Sequence, residues 1–120
     1  MKLFFLSADV PFAKTITPEE VIPYPHIARV TSHEVEIDSL RKFHDEIKRH
    51  GELGHCLLKG QLHAPLIDQS RAGTTDNNDP TEWIVFDIDG LNVSSAEEFI
   101  SALPEPFHSC SYIEQISSTA

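Results

Sequence analysis

The chain has 120 residues, 40% of them hydrophobic and 23% charged, which is the composition of one ordinary globular domain able to bury its own core. Nine basic against nineteen acidic residues give a formal charge of −10, so a sequence-independent grip on nucleic-acid phosphates by the whole surface is excluded, and any such contact must be local. No apolar run approaches the ~20 residues of a membrane helix, and two cysteines without framework spacing, Cys56 and Cys110, fit a reducing cytoplasm better than secretion.

In chain order, residues 2–6 form the first expected strand. Residues 7–30 are punctuated by Pro11, Pro18, Pro23 and Pro25 and read as an extended arm of the same domain, pinned by Tyr24, Ile27 and Val30. The rest of the domain, residues 31–120, opens on an expected helix at 38–50. Asp38 or Ser39 caps it, Leu40, Phe43 and Ile47 form its apolar stripe, and Gly51 stops it. Its basic residues Arg41, Lys42, Lys48 and Arg49 read as a solvated outer face.

Residues 54–60 read as a short apolar strand ending at Lys59. A polar loop follows, Ser70-Arg71-Ala72-Gly73-Thr74-Thr75-Asp76-Asn77-Asn78-Asp79-Pro80, suited to handling a ligand or simply to connecting two strands. It leads into Trp83-Ile84-Val85-Phe86-Asp87-Ile88-Asp89-Gly90, an unbroken apolar run entering Asp-x-Asp and stopping at glycine. Such a run predicts a buried central strand over about residues 82–89, with Asp87 and Asp89 on one face. Two neighbouring carboxylates repel, and a divalent cation such as Mg²⁺ or Mn²⁺, a shared proton or a substrate relieves that repulsion. A second helix is expected over about 95–103, capped by Ser94 or Ser95 with Glu97 or Glu98, and then a strand over 107–117. Strand, helix and strand in that order predict a βαβ-like unit within a small mixed sheet, an α/β (α+β) fold.

Phosphoryl or nucleotidyl transfer at a metal–carboxylate site needs cations for the phosphates, and Lys59 and Arg71 are the candidates, with a plain surface role equally open. The histidines His26, His33, His44, His50, His55, His63 and His108 show no His-x-x-x-His and no Cys/His knuckle, which argues against structural zinc. His55 and Cys56 are adjacent on a strand and point to opposite faces, which argues against a Cys–His nucleophile. Neither common glycine-rich nucleotide loop is present.

Two resemblances follow from these residues. Phe86-Asp87-Ile88-Asp89-Gly90-Leu91 is similar to the first motif of haloacid-dehalogenase-type phosphatases, which implies Asp87 as nucleophile and Asp89 as acid/base. More of the chain is involved in the second. Cys56-Leu57-Leu58-Lys59-Gly60-Gln61-Leu62, Ser70-Arg71-Ala72-Gly73-Thr74-Thr75-Asp76 and Pro80-Thr81-Glu82 running into Trp83 to Gly90 resemble, in that order, the amino-terminal half of phage-type primase-polymerases of the archaeo-eukaryotic primase superfamily. The resemblance implies that Asp87 and Asp89 bind the catalytic Mg²⁺ or Mn²⁺ and that Lys59 and Arg71 contact nucleotide or template phosphates. It also implies nucleoside triphosphates and a single-stranded DNA template as partners, no membrane, and a cytoplasmic setting (the host's, if the chain is viral). Glu114-Gln115-Ile116-Ser117-Ser118-Thr119-Ala120 looks like the approach to that family's Ser-x-His motif. On this reading the 120 residues are a truncated core, inactive alone. A third reading, a non-catalytic accessory domain in which the aspartates merely cap a turn, makes no use of a metal.

Overall fold

The computed structural model of the chain describes residues 1–88 and 94–115. Its centre is strand β1 (Lys2–Ser7), whose Leu3-Phe4-Phe5-Leu6 core is apolar on both faces and buried throughout. A strand buried on both faces sits in the middle of a sheet, and β1 does: strand β4 (Thr31–Glu36) and strand β5 (Cys56–Leu57) flank it, both antiparallel. The register runs from Lys2 opposite Glu36 to Ser7 opposite Thr31, with Phe5 opposite both His33 and Leu57.

Side-chain alternation along β1 divides the core in two. Leu3 and Phe5 join Ile37 on one face, where helix α1 (Leu40–Glu52) covers them with Phe43 and Ile47. Phe4 and Leu6 face the other way and meet Val30, Leu58, Leu62 and Leu66, with Ala8, Phe12 and Ile27 of the arm packed outside. Each fully buried large side chain of this kind stabilises the fold by about 1.5–3 kcal/mol before entropy is counted.

The arm is not uniformly extended. Strands β2 (Thr15–Ile16) and β3 (Val21–Ile22) form a small hairpin whose turn is held by Thr17 Oγ1 against the Glu20 backbone. Backbone bonds from Phe12 to Gly54 and from Val30 to Gln69 fasten the arm at two further points. The second of these lies beside β4, where Ser32 N–H also donates to the Leu66 carbonyl.

Helix α1 starts at the Ser39 cap, whose hydroxyl accepts from Lys42 N–H, and it runs through Gly51 to Glu52. The stop comes later than the sequence suggests, at Gly54, whose φ of +74° is the left-handed conformation that glycine adopts without strain. Helix α2 (Ala96–Ala102) is capped by Ser95, and the Glu98 carboxylate reaches back to the Ser94 N–H and hydroxyl. A single 3-10 turn, Glu105–Phe107, follows.

Three expectations are corrected. The sheet is antiparallel and centred on β1; residues 82–88 are not a strand, and the apolar run is not buried, with Ile84 62% exposed. Both ladder edges of β1 are already taken by β4 and β5, so the run finds no ladder there. Thr81 Oγ1 instead donates to the Trp83 carbonyl at 2.7 Å and bends the approach locally. Trp83 and Phe86 are then used one at a time: Trp83 packs edge-on against Phe43, and Phe86 packs edge-on against Phe99 and Phe107. Residues 107–115 contain no strand, so the described part of this region holds no βαβ unit. Asp89 and Gly90, and the end of the expected last strand at 116–117, lie outside the described residues.

Candidate functional site

Two groups of polar residues stand out, one singled out by the sequence and one not. Asp87 is exposed and follows Phe86, whose ring is fixed between α2 and the 3-10 turn. Its partner in the Asp-x-Asp pair, Asp89, lies outside the described residues.

Lys59 is exposed just beyond β5, where Leu58 N–H donates to the Phe4 carbonyl and holds the chain against β1. Residues 61–76 leave this point and return to it. Leu62 bridges Thr75, His63 N–H donates to the Thr74 carbonyl, and Asp76 N–H donates to the Gln61 carbonyl. The excursion is therefore a pinned, hairpin-like connection, and Arg71 lies on its returning limb, in the turn where its carbonyl accepts from Thr74 N–H. The Arg71 charge is felt at Cys56, where it offsets part of the rise that burial gives the thiol; burial dominates and leaves Cys56 protonated at neutral pH. Lys59 thus follows β5 directly, and Arg71 lies on the returning limb of the excursion that begins there.

Among the described residues no hydrogen bond or ion pair joins either cation to Asp87, and no three His, Cys, Asp or Glu side chains converge as a metal cluster. A shallow open groove runs between His44, Ile47 and Lys48 of α1 and Ile113 and Glu114, away from Asp87, Lys59 and Arg71.

The second group lies on the α1 side of the sheet. Ser7 continues the Leu3–Phe5 face of β1, and His33 continues the Ile37–Val35 face of β4. His50 continues the Phe43–Ile47 stripe of α1, and His55 sits in the link to β5. The apolar face therefore ends in imidazoles. Ser7 Oγ and His33 Nε2 are 2.7 Å apart, the His33 and His55 rings stack at 4.8 Å, and His55 Nδ1 meets His50 Nδ1 at 2.8 Å. The other face of His50 lies flat on Phe5, with ring centres 3.9 Å apart. Arg49 Nη2 donates to His50 Nε2 at 2.9 Å, and Arg49 and Lys42 both pair with the buried Glu46 carboxylate, at 2.6 and 3.0 Å.

The charges follow from this packing. Burial first, then the Arg49 guanidinium and the neighbouring imidazoles, push the His50 pKa down to about 4 against the opposing pull of Glu46. Burial, then His33 and Arg49, also lower His55. Hydrogen bonds from Arg49 and Lys42 hold the Glu46 carboxyl below its ordinary range. The sequence did hold a signal for His50, which stands seven residues after Phe43 and three after Ile47, on the same helix face. His33 had none, because β4 itself was not legible.

Comparison with family models, curated proteins and solved structures finds no match for this chain.

Proposed function

We propose that the chain is the amino-terminal part of a primase-polymerase catalytic core, contributing metal-binding carboxylates and phosphate-binding cations to nucleotidyl transfer onto a 3′-hydroxyl. The observation that carries this reading is the order of its three segments: Lys59 after a short strand, Arg71 in a polar loop, and Asp87-x-Asp89 after an apolar run. Two features support it. The 61–76 excursion is pinned at its base just after Lys59, and the turn from Arg71 to Thr74 adjoins that base, so both cations lie on one segment of an otherwise acidic chain. The Asp87 carboxylate is exposed and bonded to no described cation, which suits a hard oxygen donor for Mg²⁺ or Mn²⁺.

Asp87 and Asp89 would hold the divalent ions, whose chemistry is to activate the 3′-hydroxyl and neutralise the leaving pyrophosphate. Lys59 would act on the triphosphate as a point charge, and Arg71 as a planar fork on two phosphate oxygens. Local cations of this kind are compatible with net acidity, since they steer only the groups that come within about a Debye length of ~8 Å.

The test is a Mn²⁺ titration of the chain followed by thermal unfolding. About 100-fold excess over the dissociation constant stabilises a one-site protein by about 2.7 kcal/mol. Asp87→Asn and Asp89→Asn should each remove that gain, and a nucleoside triphosphate added with Mn²⁺ should raise stability further through Lys59 and Arg71. A wild-type chain indifferent to Mn²⁺ favours the accessory-domain reading. Trapping of Asp87 by beryllium fluoride favours the phosphatase reading instead.

A further inference from the structure

The histidine cluster plays no part in the proposed nucleotidyl transfer, and the hydrogen bonds of its His50–His55 pair admit only one arrangement of protons when both rings are neutral. A guanidinium only donates, so His50 Nε2, 2.9 Å from Arg49 Nη2, must accept. Neutral His50 then carries its proton on Nδ1 and gives it to His55 Nδ1, 2.8 Å away. His55, accepting there, keeps its own proton on Nε2. The bond between the two rings therefore exists only while His55 is neutral, and the bond from Arg49 only while His50 is neutral.

An added proton has few places to go. On His55 Nδ1 it sets two N–H groups head-on at 2.8 Å. On His50 Nε2 it displaces Arg49 and leaves the ring facing Glu46 Oε2 at 3.6 Å, a carboxylate already shared by Arg49 and Lys42. His33 keeps its bond when protonated, because the Ser7 hydroxyl also accepts, but its charge then lies parallel to His55 at 4.8 Å. The groups facing the pair are His33 from β4, Ser7 and Phe5 from β1, and Glu46 and Arg49 from α1, with Lys42 acting through Glu46. One carboxylate thus faces two fixed cations before any imidazole is charged, and His50 is only 3% exposed, so water cannot screen a third.

We propose that the His50–His55 pair is an acid-operated latch, which holds the C-terminal end of α1 against β5 while neutral and releases the 50–57 junction when it takes up a proton. The junction is short and hinge-like. His55 N–H donates to the His50 carbonyl, Gly54 turns the chain, and Cys56 and Leu57 begin the strand that leads to Lys59. Release therefore loosens the element that positions Lys59 while the β1–β4 ladder stays intact. Lowered pKa values of both rings agree with the direction: the neutral forms are favoured by folding, so the latch is closed above about pH 6.5 and opens as the pH falls toward 4.

The experiment is a histidine ¹⁵N titration of the intact chain between pH 7.5 and 5, with amide hydrogen exchange measured on the same samples. At pH 7.5 His50 should show its proton on Nδ1 and His55 on Nε2. Between pH 7 and 5 the His55 and Leu58 amides, bonded to the His50 and Phe4 carbonyls, should lose at least ~10-fold protection beyond the intrinsic rate change, the equivalent of one pKa unit. Amides of the β1–β4 ladder should change less than ~2-fold over the same range. His55→Gln keeps an acceptor oxygen that does not titrate, so the share of the pH dependence carried by His55 should vanish and the smaller share carried by His50 should remain. If that variant does not fold, the wild-type titration decides alone. Opposite tautomers, ordinary titration of both rings near 6.5, or protection that ignores pH each overturn the proposal.

Discussion

Two glycines three residues apart should respond to alanine with opposite signs. Gly54 has a φ of +74°, and a Cβ placed on it would collide with Pro11 Cβ and stand 3.1 Å from Pro11 Cα. The left-handed backbone costs a non-glycine residue about 1 kcal/mol. The collision is with a proline fixed to the backbone, so no rotamer change relieves it. Moving Pro11 away strains the adjacent bond from Phe12 N–H to the Gly54 carbonyl, now 2.7 Å, which contributes about another 1 kcal/mol. Gly54→Ala should therefore destabilise by about 2–4 kcal/mol. Gly51 lies inside α1 with nothing within 4 Å of its would-be Cβ, so Gly51→Ala should stabilise by about 0.5–1 kcal/mol through helix propensity alone. Urea unfolding at pH 7 reads both: with a slope of about 2 kcal/mol/M, the first variant loses about 1–2 M in midpoint and the second gains about 0.3–0.5 M. A Gly54→Ala midpoint within about 0.2 M of wild type would refute the close approach of the arm to the end of α1.

Leu66, 2% exposed beneath the arm, should cost about 2–5 kcal/mol on truncation to alanine, read as a fall in urea midpoint. Stability should fall with acid in two stages. His50, near 4 folded against about 6.5 unfolded, gives a loss of at most about 3 kcal/mol between those values, and Glu46, held low by Arg49 and Lys42, adds its loss only below its unfolded value of 4.5. Urea midpoints at pH 7, 5.5, 4.5 and about 3.5 check this, and Glu46→Gln should remove the second stage while lowering stability at pH 7 by about 1–3 kcal/mol, since it leaves Arg49 and Lys42 without their carboxylate. Asp87→Asn should leave metal-free stability within about 0.5 kcal/mol, because the side chain is exposed and unpaired among the described residues; a larger loss by thermal unfolding would give Asp87 a structural role.

What the sequence made legible is what local chemistry decides. The Leu3-Phe4-Phe5-Leu6 run, the Phe43–Ile47 spacing and the serine caps announce β1, α1 and α2 by themselves. The strand β4 was hidden, because Thr31-Ser32-His33-Glu34-Val35-Glu36 holds one aliphatic side chain and earns its place only by pairing with β1. The opposite failure occurs at Trp83 to Ile88. Its apolarity says strand, yet hydrophobicity cannot report whether a ladder partner remains, and β1 has spent both edges. Of the candidate site, the return of the Arg71 limb toward the chain just after Lys59 depends on where the 61–76 excursion is pinned, which spacing does not encode. The imidazole cluster draws its members from three separate elements, so only the fold assembles it.

The position of β1 also sets an order of events during synthesis. It leaves the ribosome before either of its neighbours, and its partners in the sheet are as distant as Glu36 for Lys2 and Leu57 for Phe5. Closing such long loops comes before any reward from pairing, which makes folding slow relative to a chain of local hairpins. Until Leu57 has emerged, a nascent chain carries Leu3-Phe4-Phe5-Leu6 with at least one backbone edge unpaired and the Phe4–Leu6 face without Leu58, Leu62 and Leu66. A segment of that kind is a template for strand addition by other chains. The same four residues that centre the finished sheet are therefore the main aggregation hazard while it is being made, and faster translation through residues 8–57 shortens that exposure.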